Sequence, residues 1–489
     1  MNTNRILKAS LSHLLKKAFA GLLVILLCPQ SIYAQPNQVH EAFPQKVPVD
    51  LKEPQKPAPR PLSHKKPDLF QRGLNIHNLG PVPAATIRAA DEKTKTIFPG
   101  VHPPPYRNGI VRSVGKTPFS IKSGAVHQAS LEGERKIWTI SIQSPGAYGM
   151  RLHISRFNIG EGIMLIYAGT GENLIVRGPY KKKGPAGNSD FWTPTLPGEE
   201  VFVEITGTTE PVFEIREILH FDRHPGAEGA PESAEPLADQ TASEGLLDCH
   251  LDALCSEGVV SEAARDATGQ MNYIKSGQGY VCTGTLLNDL DDETYVPYFL
   301  TAHHCLSTQA VVNTLEVVWL WQRNSCVGTL PDYDTLSRSI GGTLLETNSY
   351  NDMTFIRLNG SIPPGVTTAG WTTETSVSGA YGVHHPKGSW KRWVQLDSVG
   401  VCASCICLNG YYFDFYNMLN GLVQKGSSGS GVFNSSGQLA GQLSMICSQT
   451  ITHPDDMTCN DTDDFWAVYG EFEETYPHIE YWLKLGGTI

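Results

Sequence analysis

The distribution of cysteine places the strongest constraint on the fold. Of the eleven cysteines in the 489-residue chain, ten lie between Cys249 and Cys459, and the only other one is Cys28. Ten cysteines in one segment favour five disulfides and therefore an oxidising compartment. The same segment is acidic, because residues 246–489 carry 10 basic and 26 acidic residues against 28 and 23 in residues 1–245. Two pieces of different composition therefore share one chain.

The remaining composition narrows the class of protein. The length is typical of two or three domains. The 47 Gly and 32 Pro are typical of strands joined by tight turns, so a mainly β fold is expected. The formal charge of −11 argues against nucleic acid or an anionic membrane as the main partner.

The first 34 residues have the pattern of an export signal. Basic residues precede a short apolar run from Ala18 to Cys28, and Ala34 offers a small residue for cleavage. The run is too short to span a bilayer, although a retained membrane anchor is the alternative interpretation. We therefore predict a signal peptide over 1–34 and a secreted or periplasmic product with no membrane anchor after cleavage.

Composition divides the rest of the chain into four parts. Residues 35–112 carry 14 prolines and predict a largely extended pro-segment. Residues 113–220 contain short alternating apolar segments and predict a small β-sandwich pro-domain. Residues 221–245 are rich in Ala, Glu, Pro and Gly and predict an exposed linker, which is either a processing region or a plain tether. Residues 246–489 form the cysteine-rich domain.

A glycine-rich turn carries the first chemical signal. Residues 426–431 read Gly-Ser-Ser-Gly-Ser-Gly and lead into an apolar strand. Such a turn exposes one hydroxyl and can point the N–H groups of Gly426 and Ser428 at one spot, forming an oxyanion hole. Taken alone, the same run also fits a flexible loop.

Two further segments supply possible partners for that serine. An apolar strand ends in Thr-Ala-His303-His304-Cys305, where a histidine can serve as a general base. Asp352 precedes another apolar strand, and a buried aspartate needs a hydrogen-bond donor such as an imidazole N–H. Each segment alone fits an ordinary core histidine or a turn aspartate. Together, in the order His, Asp, Ser, they predict a catalytic triad.

These three segments resemble the chymotrypsin-like serine endopeptidases, and finer matches point to the bacterial lysyl endopeptidase-like branch. The finer matches are Cys249–Gly258, Tyr280–Asn288, Trp321–Cys326, Ala369–Trp371 and His384–Gly388. The resemblance covers about residues 246–485 and implies two antiparallel six-stranded β-barrels, with His304 and Asp352 in the first and Ser428 in the second. The predicted sandwich resembles, more weakly, a non-catalytic module upstream in related secreted precursors.

The resemblance also implies a role for each residue. Ser428 would attack the scissile carbonyl, His304 would take and return the proton, and Asp352 would hold the imidazole in the right tautomer. The N–H groups of Gly426 and Ser428 would form the oxyanion hole. His303 stands where relatives have a small residue, so we do not expect it to be the base.

Disulfides are implied in the same way. The implied pairs are Cys282–Cys305, Cys255–Cys326 and Cys249 with either Cys447 or Cys459. The family offers no counterpart for Cys402, Cys405 and Cys407. A zinc site is one interpretation of that cluster, but export and the even number of cysteines favour disulfides.

One departure from the family pattern concerns how the precursor would be activated. Ser427 replaces the aspartate that vertebrate-type relatives pair with a new N-terminal amine, so activation by that ion pair is not expected. If the precursor inhibits, its removal would instead uncover the cleft. Lysine-specific cleavage within the linker is also not expected, because no lysine lies between Lys183 and Cys249 and Arg223 is the linker's only basic residue.

The residues expected at the substrate pocket also differ from those of the family. A lysine-selective pocket needs a buried carboxylate. Leu422 stands where trypsin-type relatives keep that acid, and the lysyl branch takes it from further downstream, where Asp464 is the candidate. Ser444, Met445 and Ile446 stand where relatives have a histidine and two glycines, and Met445 and Ile446 would narrow or fill the pocket. Specificity for lysine follows from the resemblance, whereas a small or apolar preference follows from these residues.

We therefore predict a secreted serine endopeptidase made as a precursor, with protein or peptide substrates and its own pro-region as partners. We expect no cofactor and no metal, and a monomer. The alternative is a chymotrypsin-like binding or adhesion protein that no longer cleaves. A metal-dependent hydrolase built on residues 455–464 is disfavoured, because the run lacks calcium-loop spacing and the chain has no HExxH motif. Residues 477–485 predict a short closing helix.

Overall fold

The computed structural model describes residues 39–47, 59–65, 74–101, 103–128, 136–226, 246–291, 293–397, 399–400, 411–415, 418–448, 458–459 and 465–485. The predicted signal peptide, most of the linker, Asp464 and the cluster Cys402, Cys405 and Cys407 lie outside these residues. The chain divides into Met1–His40 and Glu41–Ile489. No helix among the described residues has the length and hydropathy needed to cross a membrane.

Most of the regular structure is β-strand, and the helices are short. The α-helices are α1 (Leu62–Lys65), α2 (Ala84–Ile97), α3 (Glu262–Ala267), α4 (Gln309–Val312) and α5 (Phe472–Leu485). The strands before the linker are β1 (Glu41–Ala42), β2 (Gln45–Lys46), β3 (Ile76–Asn78), β4 (Tyr106–Ser113), β5 (Ala125–Gln128), β6 (Lys136–Gln143), β7 (Gly149–Asn158), β8 (Ile163–Ala168), β9 (Ile175–Tyr180), β10 (Phe191–Trp192), β11 (Leu196–Pro197), β12 (Glu200–Gly207) and β13 (Val212–Phe221). The mainly β fold predicted from composition is confirmed.

The strands after the linker continue this pattern to the end of the chain. They are β14 (Leu251–Asp252), β15 (Thr268–Lys275), β16 (Gln278–Leu287), β17 (Tyr298–Ala302), β18 (Glu316–Trp319), β19 (Arg338–Ile340), β20 (Gly342–Asn348), β21 (Met353–Leu358), β22 (Thr367–Thr368), β23 (Trp371–Thr372), β24 (Tyr381–His384), β25 (Arg392–Leu396), β26 (Val399–Gly400), β27 (Tyr412–Phe415), β28 (Met418–Asn420), β29 (Gly431–Phe433), β30 (Leu439–Ser448) and β31 (Phe465–Glu471).

The alternating segments of residues 113–220 form two sheets around one apolar cluster. One sheet has the order β3-β6-β12-β8-β9, with β5 on β6, and the other contains β10, β7, β13 and β4. Side chains from both sheets, such as Ile140, Leu152 and Val203, are fully buried in the shared cluster. A β-sandwich pro-domain over residues 113–220 stays a prediction.

Strand β4 joins this part of the chain to the cysteine-rich part. It pairs with β13 on one side and with β16 on the other, where Gly109 lies opposite Gly279. Both glycines are needed for the close approach, because an added Cβ would lie 2.8 Å from the His220 carbonyl oxygen at Gly109 and 2.8 Å from Asn108 Oδ1 at Gly279. One continuous twelve-stranded sheet therefore runs through both parts.

The cysteine-rich part is built from two sheets. In the first, the strands follow the order β20-β21-β17-β16-β15-β18-β19, and only Gly341 separates β19 from β20, so the barrel is nearly closed. The second has the order β14-β25-β24-β29-β30-β31-β27-β26, with β28 on β25. Two barrels of six strands each stay a prediction.

Residues 41–46, within the predicted pro-segment, add strands to the C-terminal part. Strand β1 pairs with β23, and β2 pairs with β22. Gly370 makes this contact possible, since a Cβ there would lie 2.5 Å from the Ala42 carbonyl oxygen. The pro-segment therefore completes a sheet edge of the cysteine-rich part.

The predicted pro-segment also contains a helix that its composition did not suggest. Residues 84–97 hold no proline, which leaves α2 free to form in an otherwise Pro-rich region. Asp91 on this helix forms ion pairs with Arg107 (2.5 Å) and Arg223 (2.9 Å), and Arg107 also pairs with Asp222 (2.5 Å). Arg223, the only basic residue of the linker, therefore forms an ion pair with helix α2.

The closing helix α5 begins five residues earlier than predicted. The sequence placed Pro477 at the start, where proline is favoured, but the helix starts at Phe472 and carries Pro477 inside it. Phe472 and Tyr476 both pack against Trp371, with ring centroids 5.2 Å apart in each case. Tertiary packing of these aromatic rings therefore extends the helix beyond its sequence signal.

A buried ion pair lies where the first barrel meets the preceding part of the chain. Glu316 on β18 is fully buried, pairs with Arg338 at 3.0 Å, and accepts hydrogen bonds from the backbone N–H (2.8 Å) and hydroxyl (2.5 Å) of Thr195. Burial alone would raise the pKa of Glu316, but Arg338 and Arg151 hold it below its usual value. The carboxylate is therefore ionised and matched by buried guanidinium groups.

We expect Glu316→Ala to lower the free energy of unfolding by about 3–5 kcal/mol, because it leaves buried guanidinium groups without their counter-charge. Urea denaturation of the full chain measures this loss. Glu262→Ala is the matched control, since Glu262 forms an exposed pair with Lys46 at 3.6 Å and should change stability by less than about 0.5 kcal/mol. A loss below about 1 kcal/mol for Glu316→Ala would contradict the assignment.

Candidate active site

His304 and Asp352 are brought together by the ends of neighbouring strands. Strand β17 pairs with β21, so the turn after Ala302 lies beside the residue that precedes Met353. The backbone N–H of His304 donates to Asp352 Oδ1 (2.9 Å), and its Nδ1 lies 2.7 Å from Oδ2. Because a carboxylate only accepts, Nδ1 carries the proton. His304 Nε2 has no hydrogen-bond partner among the described residues and is the atom left to take a proton.

Asp352 is a buried carboxylate whose charge is stabilised by its neighbours. Burial alone would raise its pKa, but His304 and the hydrogen bonds it accepts hold the pKa of Asp352 below its usual value. One of these bonds comes from Ser444 Oγ (2.7 Å). The sequence placed Ser444 in the substrate pocket, and nothing in its neighbourhood signalled a contact with Asp352 on a distant strand.

The turn that carries Ser428 depends on glycine at two positions. Gly426 and Gly429 have φ of +97° and +80°. A Cβ on Gly429 would lie 2.2 Å from Thr301 Oγ1, on the strand that leads to His304. Thr283 fastens the turn from the other side, because its N–H donates to the Ser428 carbonyl (2.8 Å) and its hydroxyl to the Gly426 carbonyl (2.9 Å).

In the described parts of the cysteine-rich segment, three disulfides join distant positions. They are Cys282–Cys305, Cys255–Cys326 and Cys249–Cys459. The first lies at the site itself, with Cys305 Sγ 4.0 Å from the Ser428 carbonyl oxygen. Of the two partners considered for Cys249, the structure joins it to Cys459. The turn that carries His304 and the turn that carries Ser428 therefore meet at the disulfide Cys282–Cys305.

The residues expected at the substrate pocket separate in the structure. Leu422 and Ile446 are buried in an apolar cluster of the second sheet. Met445 lines a cavity of about 330 Å³ with Ser444, and the cavity reaches His304 and Asp352. Asp464 lies outside the described residues. His303 also lines the cavity, and its Nδ1 lies 2.8 Å from Thr347 Oγ1.

Part of the wall of this cavity comes from the predicted pro-segment. Ile97, Phe98, Pro99 and Val101 contribute to the lining. The Phe98 ring is buried against Tyr280, with centroids 4.8 Å apart. Sequence reasoning missed this segment, because no motif connects residues 97–101 with a histidine some two hundred positions later.

Lys275 connects the pro-segment wall with the histidine. Its Nζ lies 4.8 Å from the Phe98 ring centroid and donates to the His304 carbonyl oxygen (2.7 Å). Partial burial lowers the pKa of Lys275 from its usual value. Lys275 therefore contacts both the Phe98 ring and the backbone of His304.

One cluster in the described part of the chain has metal-ligating residue types, namely Cys282, His304 and Cys305. The two cysteines form a disulfide, and metal ions are bound by thiolates, so this group does not suit zinc.

The fold and the site define a class. A mainly β chain with a buried histidine–aspartate pair beside a glycine-bounded serine turn has the arrangement of the chymotrypsin-like proteins. Comparison with known proteins supports this class for part of the chain. Residues 246–458 match the family model described as "Lysyl endopeptidase, C-terminal domain". The resemblance to the lysyl endopeptidases is thereby confirmed for this part of the chain.

A curated relative and several solved structures are also similar. The chain is 26% identical over 322 residues to a lysyl endopeptidase of Pseudomonas aeruginosa, covering 60% of this chain and 63% of that protein's length. One similar solved structure is a scabies mite inactivated protease paralogue, with 12% identity, coverage of 46% of this chain and 96% of that chain, and a TM-score of 0.33. Another is the HtrA-type protease AlgW with tripeptide, with 14% identity, coverage of 47% of this chain and 64% of that chain, and a TM-score of 0.31. These TM-scores are too low to assign the fold.

We expect Gly429→Ala to lower the free energy of unfolding by about 3 kcal/mol or more, because the methyl group meets Thr301 and the φ is strained. Gly198→Ala is the matched control, since Gly198 has the same φ of +80° but no heavy atom within 4 Å of an added Cβ. It should cost only about 1 kcal/mol. Thermal unfolding of the two variants separates steric clash from backbone strain, and equal losses would show that the turn has room.

Proposed function

We propose that the chain is the precursor of an exported serine endopeptidase. The observation that carries the proposal is the 2.7 Å contact between His304 Nδ1 and Asp352 Oδ2, which leaves the buried Nε2 without a hydrogen-bond partner among the described residues. The lysyl endopeptidase relative supports the same reaction. Export is proposed from the N-terminal sequence and from the disulfides.

In the proposed mechanism, Ser428 Oγ attacks the carbonyl carbon of the scissile bond while His304 Nε2 takes its proton. Asp352 stabilises the imidazolium that forms, and the N–H groups of Gly426 and Ser428 bind the oxyanion. His304 then gives its proton to the leaving amine. Water attacks the acyl group in the second half of the reaction, with His304 again as the base.

The role of Ser444 in this mechanism is to hold the aspartate. Its hydroxyl donates to Oδ2, the oxygen that also faces His304 Nδ1. The bond restrains the carboxylate beside the imidazole N–H and compensates part of the cost of burying the charge.

We propose that residues 39–226 act as the pro-region of this enzyme. Support comes from Phe98 and its neighbours, which line the cavity beside His304, and from β1, β2 and β4, which pair with strands of the cysteine-rich part. A substrate would need the space that residues 97–101 now line. Removal or displacement of this segment would then open the cleft.

Specificity is the least constrained part of the proposal. Lysine is proposed from the family, whose acidic pocket residue would correspond to Asp464. Met445, which lines the cavity next to Ser444, instead favours an apolar substrate side chain near the site. Cleavage of a peptide library with randomised residues around the scissile bond distinguishes the two.

We expect Ser428→Ala to abolish peptide hydrolysis and labelling by a fluorophosphonate, because both need the nucleophilic hydroxyl. Asp352→Asn should lower kcat by about 10⁴-fold, since the histidine then adopts the wrong tautomer. Unfolding temperatures test that both variants fold. An unlabelled Ser428 in folded, processed wild-type protein would instead favour the non-cleaving binding protein.

We expect Phe98→Ala to raise the initial hydrolysis rate of the uncleaved chain about tenfold or more, because truncation of a buried aromatic ring weakens docking of the pro-segment. Phe43→Ala is the matched control: Phe43 belongs to the same pro-segment but is 68% exposed. Rates are measured before any processing is visible on a gel. An unchanged rate for Phe98→Ala would show that residues 97–101 do not restrict the cleft.

A further inference from the structure

The residue before the proposed nucleophile is held by a buried polar network. Ser427 is fully buried, and its hydroxyl accepts the backbone N–H of Gln424 (3.3 Å). Its Oγ also lies 2.7 Å from Nδ1 of the fully buried His384. The Ser427 N–H donates to the Gln424 carbonyl (3.0 Å), so Gln424 and Ser427 close the turn that contains Gly426.

The side chain of Gln424 connects this turn to the segment that follows the linker. Gln424 Oε1 accepts the backbone N–H of Leu247 (3.4 Å) and lies 2.8 Å from His250 Nε2. Because this oxygen is an acceptor, His250 Nε2 must carry the proton and donate it. Burial lowers the pKa of His250 to about 3, so the imidazole is neutral at ordinary pH.

The segment that presents His250 is itself fixed. Cys249 is bonded to Cys459, and Leu251 and Asp252 form β14, which pairs with β25. The His250 carbonyl also accepts a hydrogen bond from Arg392 (3.2 Å). The donor that reaches Gln424 is therefore an internal side chain on a covalently anchored strand, and its position needs no free N-terminal amine.

We propose that His250 and Gln424 are positioning residues that hold Ser427, and through it the N–H groups of Gly426 and Ser428, in the geometry of an oxyanion hole. This inference rests on the proposed function. In vertebrate-type relatives, an ion pair between an aspartate and an N-terminal ammonium group holds the residue before the nucleophile. In this chain, a neutral network of hydrogen bonds holds that residue instead. The serine turn is therefore already assembled in the uncleaved chain, and the pro-region limits access to it.

Labelling of the full chain with a small fluorophosphonate tests the proposal, because the reagent forms a bond to Ser428 Oγ, releases fluoride and places a phosphoryl oxygen in the oxyanion hole. His250→Leu removes the donor at nearly constant volume, and His250→Gln restores an N–H donor near the Nε2 position. We expect His250→Leu to lower the maximal labelling rate about tenfold or more with little change in the half-saturating concentration. His250→Gln should recover to within about threefold of wild type.

Asn420→Ala is the matched control, since its side chain makes an exposed hydrogen bond to Gln395 (2.6 Å) close to the same turn. If His250→Leu does not fold, Gln424→Met tests the same network by removing the acceptor. Equal labelling of the folded Leu or Met variant and wild type overturns the proposal. Equal impairment of His250→Gln and His250→Leu also overturns it, because the donor would then be irrelevant. Wild-type chain that is not labelled even after processing would contradict the proposed function itself.

Discussion

The buried charge of Asp352 is the constraint on which the proposed active site depends. A carboxylate removed from water is costly unless donors surround it, and here the donors are the backbone N–H and Nδ1 of His304 and the hydroxyl of Ser444. These donors come from two different sheets, since His304 follows β17 and Ser444 lies on β30. Satisfying one charge therefore fixes how the two halves of the cysteine-rich part meet.

Hydrogen bonds and the disulfide Cys282–Cys305 reinforce that meeting point. The disulfide holds the histidine turn against β16, and Thr283, the next residue on β16, holds the serine turn through its N–H and hydroxyl. Glycine at 429 is required because no side chain fits beside Thr301. Rigid supports of this kind suit a site whose catalytic effect depends on preorganised donors.

The contacts of residues 39–226 with the cysteine-rich part support the precursor hypothesis. A strand shared at β4–β16, short strands on β22 and β23, and a hydrogen bond from Gln278 Nε2 to the Ala90 carbonyl of α2 (3.1 Å) join these residues to the cysteine-rich part. The helix ends at the cavity beside His304. Ion pairs such as Asp91 with Arg107 lie within the N-terminal part, and polar contacts such as Thr195 with Glu316 lie where the two parts meet.

Much of the architecture could be predicted from the sequence alone. Alternating residues such as Trp138, Ile140 and Ile142 predicted a strand, since a period of two puts them on one face, and the cysteine distribution marked the part that carries the disulfides. The chemistry of His304, Asp352 and Ser428 was also predictable, because each lies in a local motif. Helix α2 was missed, because proline content was averaged over a segment whose residues 84–97 hold none.

Only the tertiary structure decided which residues at distant positions in the sequence contact one another. Neither the contact of Phe98 with Lys275 nor the hydrogen bond of Ser444 to Asp352 has a local signature, because each joins residues far apart in the chain. The same holds for His250 on Gln424. The sequence by itself determined which residues could do chemistry and where strands form, because those depend on residue type and short-range period. Which groups meet depends on the order of strands in the sheets, and that order is set by burial across the whole chain.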